Sequence, residues 1–197
     1  MPISKFPIFS DMTACGIIGR MSSIFEIIRD ELIASTPKEY NCHLQFVHFL
    51  AKEFQKLKGG DVEVIEIAAI AHDYGRVPDG DNTFHAEIGA ERIAVRLTEV
   101  HYDTEKTKHI ARCVRMHNKD VGFKSIEEEI VMNADRLSKI AYFEAFMLMV
   151  KKESFQDRTK WAIKHLDQSY NKATFLDIRA QYEHMYLNKR NLYGMVL

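Results

Sequence analysis

The sequence predicts an all-α protein, a helical bundle. Only 4 prolines and 9 glycines occur among the 197 residues, so long helices are permitted along nearly the whole chain. Apolar residues recur at intervals of three and four positions, which places them on one face of a helix. No pair of alternating apolar runs around a tight turn, the pattern of a β-hairpin, is present.

The first helices are predicted in the N-terminal third of the chain. Apolar residues within 17–32 follow the helical spacing, and those within 44–57 repeat it. Gly59 and Gly60 follow the second run, where glycine commonly ends a helix. The stretch 62–71 is almost wholly apolar. Its length would also suit a buried strand, but its three alanines favour a buried helix.

The rest of the chain is predicted to be helical apart from one loop. Glycine and proline punctuate 74–82, so this connection is predicted as the loop. Further helices are predicted at about 84–98, 104–117, 125–150, 155–170 and 173–190, with a bend or break near Ala141. We predict one domain over 1–197, with a core at about 25–150 and C-terminal helices of 151–197 packed on it.

The charge balance and the apolar runs exclude several classes of protein. Lys and Arg number 27 and Asp and Glu 28, a net charge of −1, which argues against a surface built for nucleic-acid polymers or anionic membranes. The longest apolar run, 145–150, is far shorter than the roughly 18 residues of a membrane-spanning helix. Three scattered cysteines are typical of reduced thiols. The sequence therefore predicts a cytoplasmic protein, and it leaves the oligomeric state open.

Several imidazole and carboxylate side chains occur within otherwise apolar helical stretches. They are His43, His72, Asp73, His85, His117 and Asp135. These ligand types suit Mn, Fe, Zn and similar divalent ions. A polar pair such as His72-Asp73 at the end of an apolar helix is costly unless it is satisfied. Since metal sites in helical bundles take side chains from several helices, the pattern favours a metal site.

The order of these residues and the short sequence motifs around them resemble the HD-domain superfamily of metal-dependent phosphohydrolases. The similarity covers roughly residues 25–150. It is carried by His43 in its apolar helix, HDYGR at 72–76, HAEIGAE at 85–91, MHN at 116–118 and NADRLSKI at 133–140. A His-Asp dipeptide alone is a weak motif, whereas the ordered set on separate helices is specific.

The resemblance implies which residues hold metal. One divalent ion, whether Mn, Fe, Co, Ni, Zn or Mg, would be bound by His43, His72, Asp73 and Asp135. His85 and His117 match two further positions that hold a second ion bridged by Asp73 in some members of the family, and that contact substrate in others.

Each of these residues also has an ordinary structural interpretation. His43 and the His72-Asp73 pair would suit a buried, hydrogen-bonded core. Asp135 would suit an ion pair with Lys139 four residues on, and His117 would suit a helix C-terminus. His85 would suit solvent at the start of a helix.

The resemblance further implies hydrolysis of a small phosphorylated substrate, a nucleotide or related metabolite. Asp73 would accept a proton from the attacking water. Arg76, Lys119 and Lys139 would contact the substrate phosphate, and Arg76 ranks first because it belongs to the HDYGR motif. Asp79 and Asp81 are weaker candidates for acid–base roles, and Glu39 is a weaker candidate as an extra ligand.

Two alternative functions remain open on this sequence. Some relatives with all six ligand positions use a di-iron centre and O₂ to oxidise their substrate. Other HD domains are regulatory and have lost catalysis.

Overall fold

Nine α-helices and no strand make up the part of the chain that the structure, a computed structural model, describes: residues 24–36, 38–77, 81–195 and 197. The predicted all-α fold is therefore confirmed. The helices are α1 (Ile24–Ser35), α2 (Lys38–Lys58), α3 (Val62–Ala71), α4 (His85–Glu99), α5 (Thr104–Met116), α6 (Ile126–Ala141), α7 (Phe143–Met149), α8 (Phe155–Lys172) and α9 (Leu176–Gly194).

The observed helices follow the predicted ones closely. The apolar stretch 62–71 is the helix α3 and not a strand. The predicted break near Ala141 is present, because Tyr142 leaves the helical conformation with φ −123° and ψ 44° and so separates α6 from α7. The first predicted helix begins at 17, and its positions 17–23 lie outside the described residues.

Side chains at the helix starts satisfy the exposed backbone N–H groups. The Asp61 carboxylate accepts hydrogen bonds from the N–H groups of Glu63 and Val64 at the start of α3. Ser125 does the same for α6 through the N–H of Glu128. At the C-terminal end of α2, Gly59 has a φ of 82°, which a residue with a side chain rarely adopts.

The helix α3 lies at the centre of the molecule and packs against α1, α2, α5 and α6. Most of it is buried, namely Val64, Ile65 and 67–71, which explains why its sequence is largely apolar and not amphipathic. Ile65 and Ala69 join a core cluster formed with α2 and α6–α9. Ile67 and Ile70 join a second cluster formed with α1, α4 and α5. The two cores thus meet at α3.

A close backbone contact fixes the turn that follows α3. A Cβ atom on Gly75 would lie 2.0 Å from the carbonyl oxygen of His85 and 2.5 Å from the backbone nitrogen of Gly89. Only a residue without a side chain allows this approach. The turn carrying the His72-Asp73 pair is therefore held directly against the first turns of α4.

None of the helices in the described ranges is long and apolar enough to cross a membrane. Among the cysteines described, Cys42 is exposed, Cys113 is buried, and neither forms a disulfide.

Candidate metal centre

The six predicted ligand residues converge on one buried site, and half of them lie at helix ends. His72 and His117 directly follow α3 and α5, and His85 is the first residue of α4. His43 and Asp135 lie within α2 and α6. Together with Asp73, all of them are at most 9 % exposed. A site assembled from this many helices depends on the packing of the whole bundle.

The first group of donor atoms comes from His43, His72 and Asp135. The His43 Nε2 lies 3.2 Å from the His72 Nε2 and 3.2 Å from the Asp135 Oδ1. The His72 Nε2 lies 3.8 Å from the same Asp135 oxygen. The Asp73 Oδ2 joins this group, at 3.4 Å from the His72 Nε2 and 3.8 Å from the His43 Nε2.

The second group of donor atoms comes from Asp73, His85 and His117. The Nε2 atoms of His85 and His117 are 3.2 Å apart. The Asp73 Oδ1 lies 3.5 Å from the His85 Nε2 and 3.7 Å from the His117 Nε2. The two oxygens of Asp73 therefore face different groups, so this carboxylate connects them.

The spacing within each group fits a single divalent ion. Ligands about 2.1 Å from one ion lie about 3.0 Å apart at octahedral angles and about 3.4 Å apart at tetrahedral angles. The separations observed run from 3.2 Å, between the Nε2 atoms of His85 and His117, to 3.8 Å, between the His43 Nε2 and the Asp73 Oδ2. Small movements would bring each set to the distances of a coordination shell.

In three of the four histidines, a backbone carbonyl anchors the Nδ1 so that Nε2 faces the site. The Nδ1–H of His72 donates to the Ala69 carbonyl at 2.8 Å, and that of His117 donates to the Val114 carbonyl at 2.6 Å. The His85 Nδ1–H donates to the Asn82 carbonyl at 2.7 Å. Metal-binding histidines are held in this way, which fixes the tautomer with a lone pair on Nε2.

The charge state of the histidines also suits metal binding. Burial lowers the pKa of His117 to about 3. Burial likewise lowers the pKa of His43, although the hydrogen bond with Asp135 opposes the shift. Burial and the nearby Arg76 charge lower the pKa of His85. These three rings are neutral at pH 7 and present lone pairs, as a cation requires.

The two carboxylates are ionised. Burial raises the pKa of Asp73, but the charges of His72 and Arg76 outweigh burial and hold that pKa well below its usual value. Burial likewise raises the pKa of Asp135, and the Lys139 ammonium outweighs it, so this pKa is also well below its usual value. The pKa of His72 is raised, because Asp73 overcomes the effect of burial. A proton on His72 would occupy the place that a metal ion takes.

The Asp73 Oδ1 is a buried acceptor that lacks an aligned hydrogen bond from any described residue. The Arg76 Nε lies 2.7 Å away, but out of line for a hydrogen bond. A buried carboxylate oxygen without a donor is costly. The Arg76 charge offsets part of that cost, and a metal ion at the second group would give this oxygen the aligned partner that it lacks.

The three predicted phosphate contacts all have carboxylate partners. Arg76 lies against Asp73, as described above. The Lys139 ammonium is 2.6 Å from the Asp135 Oδ2, the oxygen turned away from the histidines. The Lys119 ammonium is 2.8 Å from the Glu87 Oε1, a contact that joins the start of α4 to the segment after α5.

The weaker candidates have other surroundings. Asp81 is exposed and accepts hydrogen bonds from the N–H and hydroxyl of Thr83, a local turn. Asp79 and the side chain of Glu39 lie outside the described residues. Outside the site, His48 stacks on Phe25 with ring centroids 4.7 Å apart. It lies five residues after His43 in α2 and so faces another side of that helix.

Sequence reasoning missed two residues that support the ligands. Asn82 holds His85 through its carbonyl, and the Ser138 Oγ lies 3.5 Å from the His43 Nδ1 while donating to the Asp135 carbonyl at 2.7 Å. Each stands three residues from a ligand, so the spacing was visible in the sequence. The backbone carbonyls that anchor His72 and His117 leave no mark in residue types.

The family model for the HD domain matches residues 41–140, just over half of the chain. No curated protein matches the chain. Three solved structures are similar. An HD-superfamily hydrolase from Bacillus thuringiensis has a TM-score of 0.62 and 19 % identity, with 87 % of this chain and 94 % of that chain covered. The Listeria innocua protein Lin1889 has a TM-score of 0.56 and 20 % identity, with 85 % of this chain and 94 % of that chain covered, and Bacillus subtilis YpgQ in complex with ADP has a TM-score of 0.53 and 18 % identity, with 84 % of this chain and 94 % of that chain covered. At these identities the likeness shows a shared fold.

Proposed function

Because the chain belongs to the HD-domain family, we propose that it is a metal-dependent phosphohydrolase that cleaves a phosphate ester or anhydride of a small molecule. The observation that carries this proposal is the division of the Asp73 carboxylate between two groups of buried ligands. Two donor sets joined by one carboxylate suit two divalent ions, with His43, His72 and Asp135 holding one and His85 and His117 the other.

Divalent ions bound there would polarise the phosphoryl oxygens and lower the pKa of water towards about 7. The chain's own residues would do the rest. Asp73 is ionised, so it can orient the attacking water and accept its proton. The buried walls formed by the ligand helices would exclude bulk water, which strengthens each charge interaction at the site.

Arg76 and Lys139 would add positive charge at the phosphate. Arg76 has the planar guanidinium that matches phosphate oxygens, and it lies directly against Asp73. The Lys139 ammonium contacts the Asp135 Oδ2, so its main effect on the phosphate would come from holding Asp135 in place. Lys119 would have to leave Glu87 to reach a phosphate, so we rank it below the other two.

A nucleotide or related metabolite is the substrate class we propose. Phe84, the residue before His85, is 63 % exposed, and an exposed aromatic ring beside a phosphate site gives a nucleobase a surface for stacking. The similar fold of YpgQ, whose structure holds ADP, also supports a nucleotide.

Metal analysis followed by a phosphate-release screen tests this function. The metal-free protein would be loaded with Mn, Fe, Co, Ni, Zn or Mg and offered nucleoside mono-, di- and triphosphates under argon. We expect bound divalent metal and metal-dependent release of phosphate without O₂. Turnover of substrate only with iron and O₂ would favour a di-iron oxygenase instead. Failure to bind any divalent ion would favour a regulatory domain.

A further inference from the structure

Asn82 makes two kinds of contact at the edge of the site. Its side chain holds both backbone groups of Val77: the Asn82 Oδ1 accepts from the Val77 N–H at 2.9 Å, and the Asn82 Nδ2 donates to the Val77 carbonyl at 3.2 Å. Its backbone carbonyl accepts from the His85 Nδ1–H at 2.7 Å and from the His85 backbone N–H at 3.2 Å. One residue therefore grips the chain on both sides of this connection.

These contacts place Asn82 between two groups that flank one oxygen atom. Val77 directly follows Arg76, whose Nε lies 2.7 Å from the Asp73 Oδ1. The His85 Nε2 lies 3.5 Å from the same oxygen, on the other ring nitrogen from the one that Asn82 holds. A shift of Asn82 would thus turn the His85 ring and release the backbone next to Arg76 together.

The two imidazoles of the first group have no such link. The Ser138 Oγ of α6 lies 3.5 Å from the His43 Nδ1, and the His72 Nδ1–H donates to the Ala69 carbonyl of α3, so neither ring is held by Asn82. Loss of the Asn82 side chain should leave these contacts in place. The main consequence should therefore fall on the second group, whose His85 ring Asn82 holds directly.

We propose that Asn82 is a positioning residue for the second ion: its clasp on Val77 fixes the carbonyl that aims the His85 Nε2 at the Asp73 Oδ1. The inference rests on the proposed function, because it presumes that both groups hold metal. An outer hydrogen-bond partner of a ligating histidine is worth about 10- to 100-fold in metal affinity. The amide side chain of Asn82 has a separate acceptor atom and donor atom, so it can accept from the Val77 N–H and donate to the Val77 carbonyl at the same time.

Titration of the metal-free protein with Mn²⁺, with free Mn²⁺ counted by its paramagnetic resonance signal, tests this role. We expect the wild type to bind two Mn²⁺ per chain. In Asn82→Ala the first affinity should stay unchanged and the second should fall at least tenfold. Asn82→Asp keeps the acceptor for the Val77 N–H but loses the donor, so its second affinity should lie between the two.

Thr83→Ala is the matched control, since Thr83 is exposed in the same connection and its hydroxyl bonds to Asp81. It should bind both ions as the wild type does. Equal weakening of both ions in Asn82→Ala and Asn82→Asp, or unchanged second binding in both, would overturn the inference. A wild type that binds one ion and hydrolyses substrate would also overturn it while leaving the proposed function intact. A wild type that binds no ion would remove the proposed function itself.

Discussion

Asp73 has the central place in the site at the scale of single residues. Its two oxygens face different sets of imidazoles, and its charge is retained despite burial because His72 and Arg76 lie beside it. His72 is fully buried and aims its Nε2 between His43 and Asp73. A site of this kind has no spare ligand, so each of these side chains should be needed for metal binding.

Replacement of His72 or Asp73 by alanine should remove metal and activity together. Without Asp73, which serves both groups, we expect the metal content to fall close to zero, and without His72 we expect loss of the ion held by the first group. In both variants phosphate release should fall at least 100-fold, a loss of about 2.7 kcal/mol or more in transition-state stabilisation. Elemental analysis and a phosphate assay measure both quantities, and circular dichroism should show the helices intact. His184→Ala, on the exposed face of α9, should match the wild type. Full activity of either ligand variant would refute the assignment.

At the scale of the helices, three of the ligands lie at helix ends. His72 and His117 follow helix C-termini, where a carbonyl three residues earlier is free to accept from Nδ1. His85 begins α4, and its Nδ1–H donates to the Asn82 carbonyl in the preceding connection. The contact between Gly75 and Gly89 sets how closely the turn after α3 approaches the start of α4. The geometry of the second ligand group thus depends on two residues without side chains.

Gly75→Ala should destabilise the protein and weaken binding at the second group. The added Cβ would meet the His85 carbonyl at 2.0 Å, so the turn must move away from α4. Overpacking of this kind typically costs about 1–3 kcal/mol. Urea unfolding of the metal-free protein measures the loss.

The control for that measurement is Gly194→Ala, because a Cβ at Gly194 has no neighbour within 4 Å. Its free energy of unfolding should stay within about 0.5 kcal/mol of the wild-type value. If Gly75→Ala were as stable as Gly194→Ala, the contact would not determine the spacing of the two segments.

Over the whole molecule, the bundle keeps several histidines uncharged. Burial lowers the pKa of His48 to about 4 and also lowers the pKa of His165, and neither residue belongs to the site. His43, His85 and His117 within the site shift in the same direction for the same reason. The folded protein therefore resists protonation that the unfolded chain accepts below about pH 6.5.

The metal-free protein should lose stability as the pH falls from 7.5 to 5.5. A depressed histidine pKa stabilises the fold above the unfolded value of about 6.5, and each proton bound only by the unfolded chain costs about 1.4 kcal/mol per pH unit below it. Thermal unfolding in a chelator should show a falling midpoint. His48→Gln should reduce the change of that unfolding midpoint with pH. A midpoint that rises towards pH 5.5 would contradict the burial of neutral rings.

The order of motifs and the apolar spacing were sufficient to predict the helices and the residues that converge. Helical periodicity is local, so the boundaries of α3 and the break at Tyr142 follow from nearby residues. The ordered His and Asp positions identified the candidate ligands through resemblance to a family, before any distance was known.

Only the tertiary structure decided how those residues act on one another. The division of the Asp73 oxygens, the partners of Arg76 and Lys119, and the clasp of Asn82 on Val77 depend on contacts between separate segments. Residue types along the chain record which side chains prefer burial, but not which atoms meet. The distances and charge states at this site arise when α2–α6 pack together and exclude water, which is a property of the folded bundle.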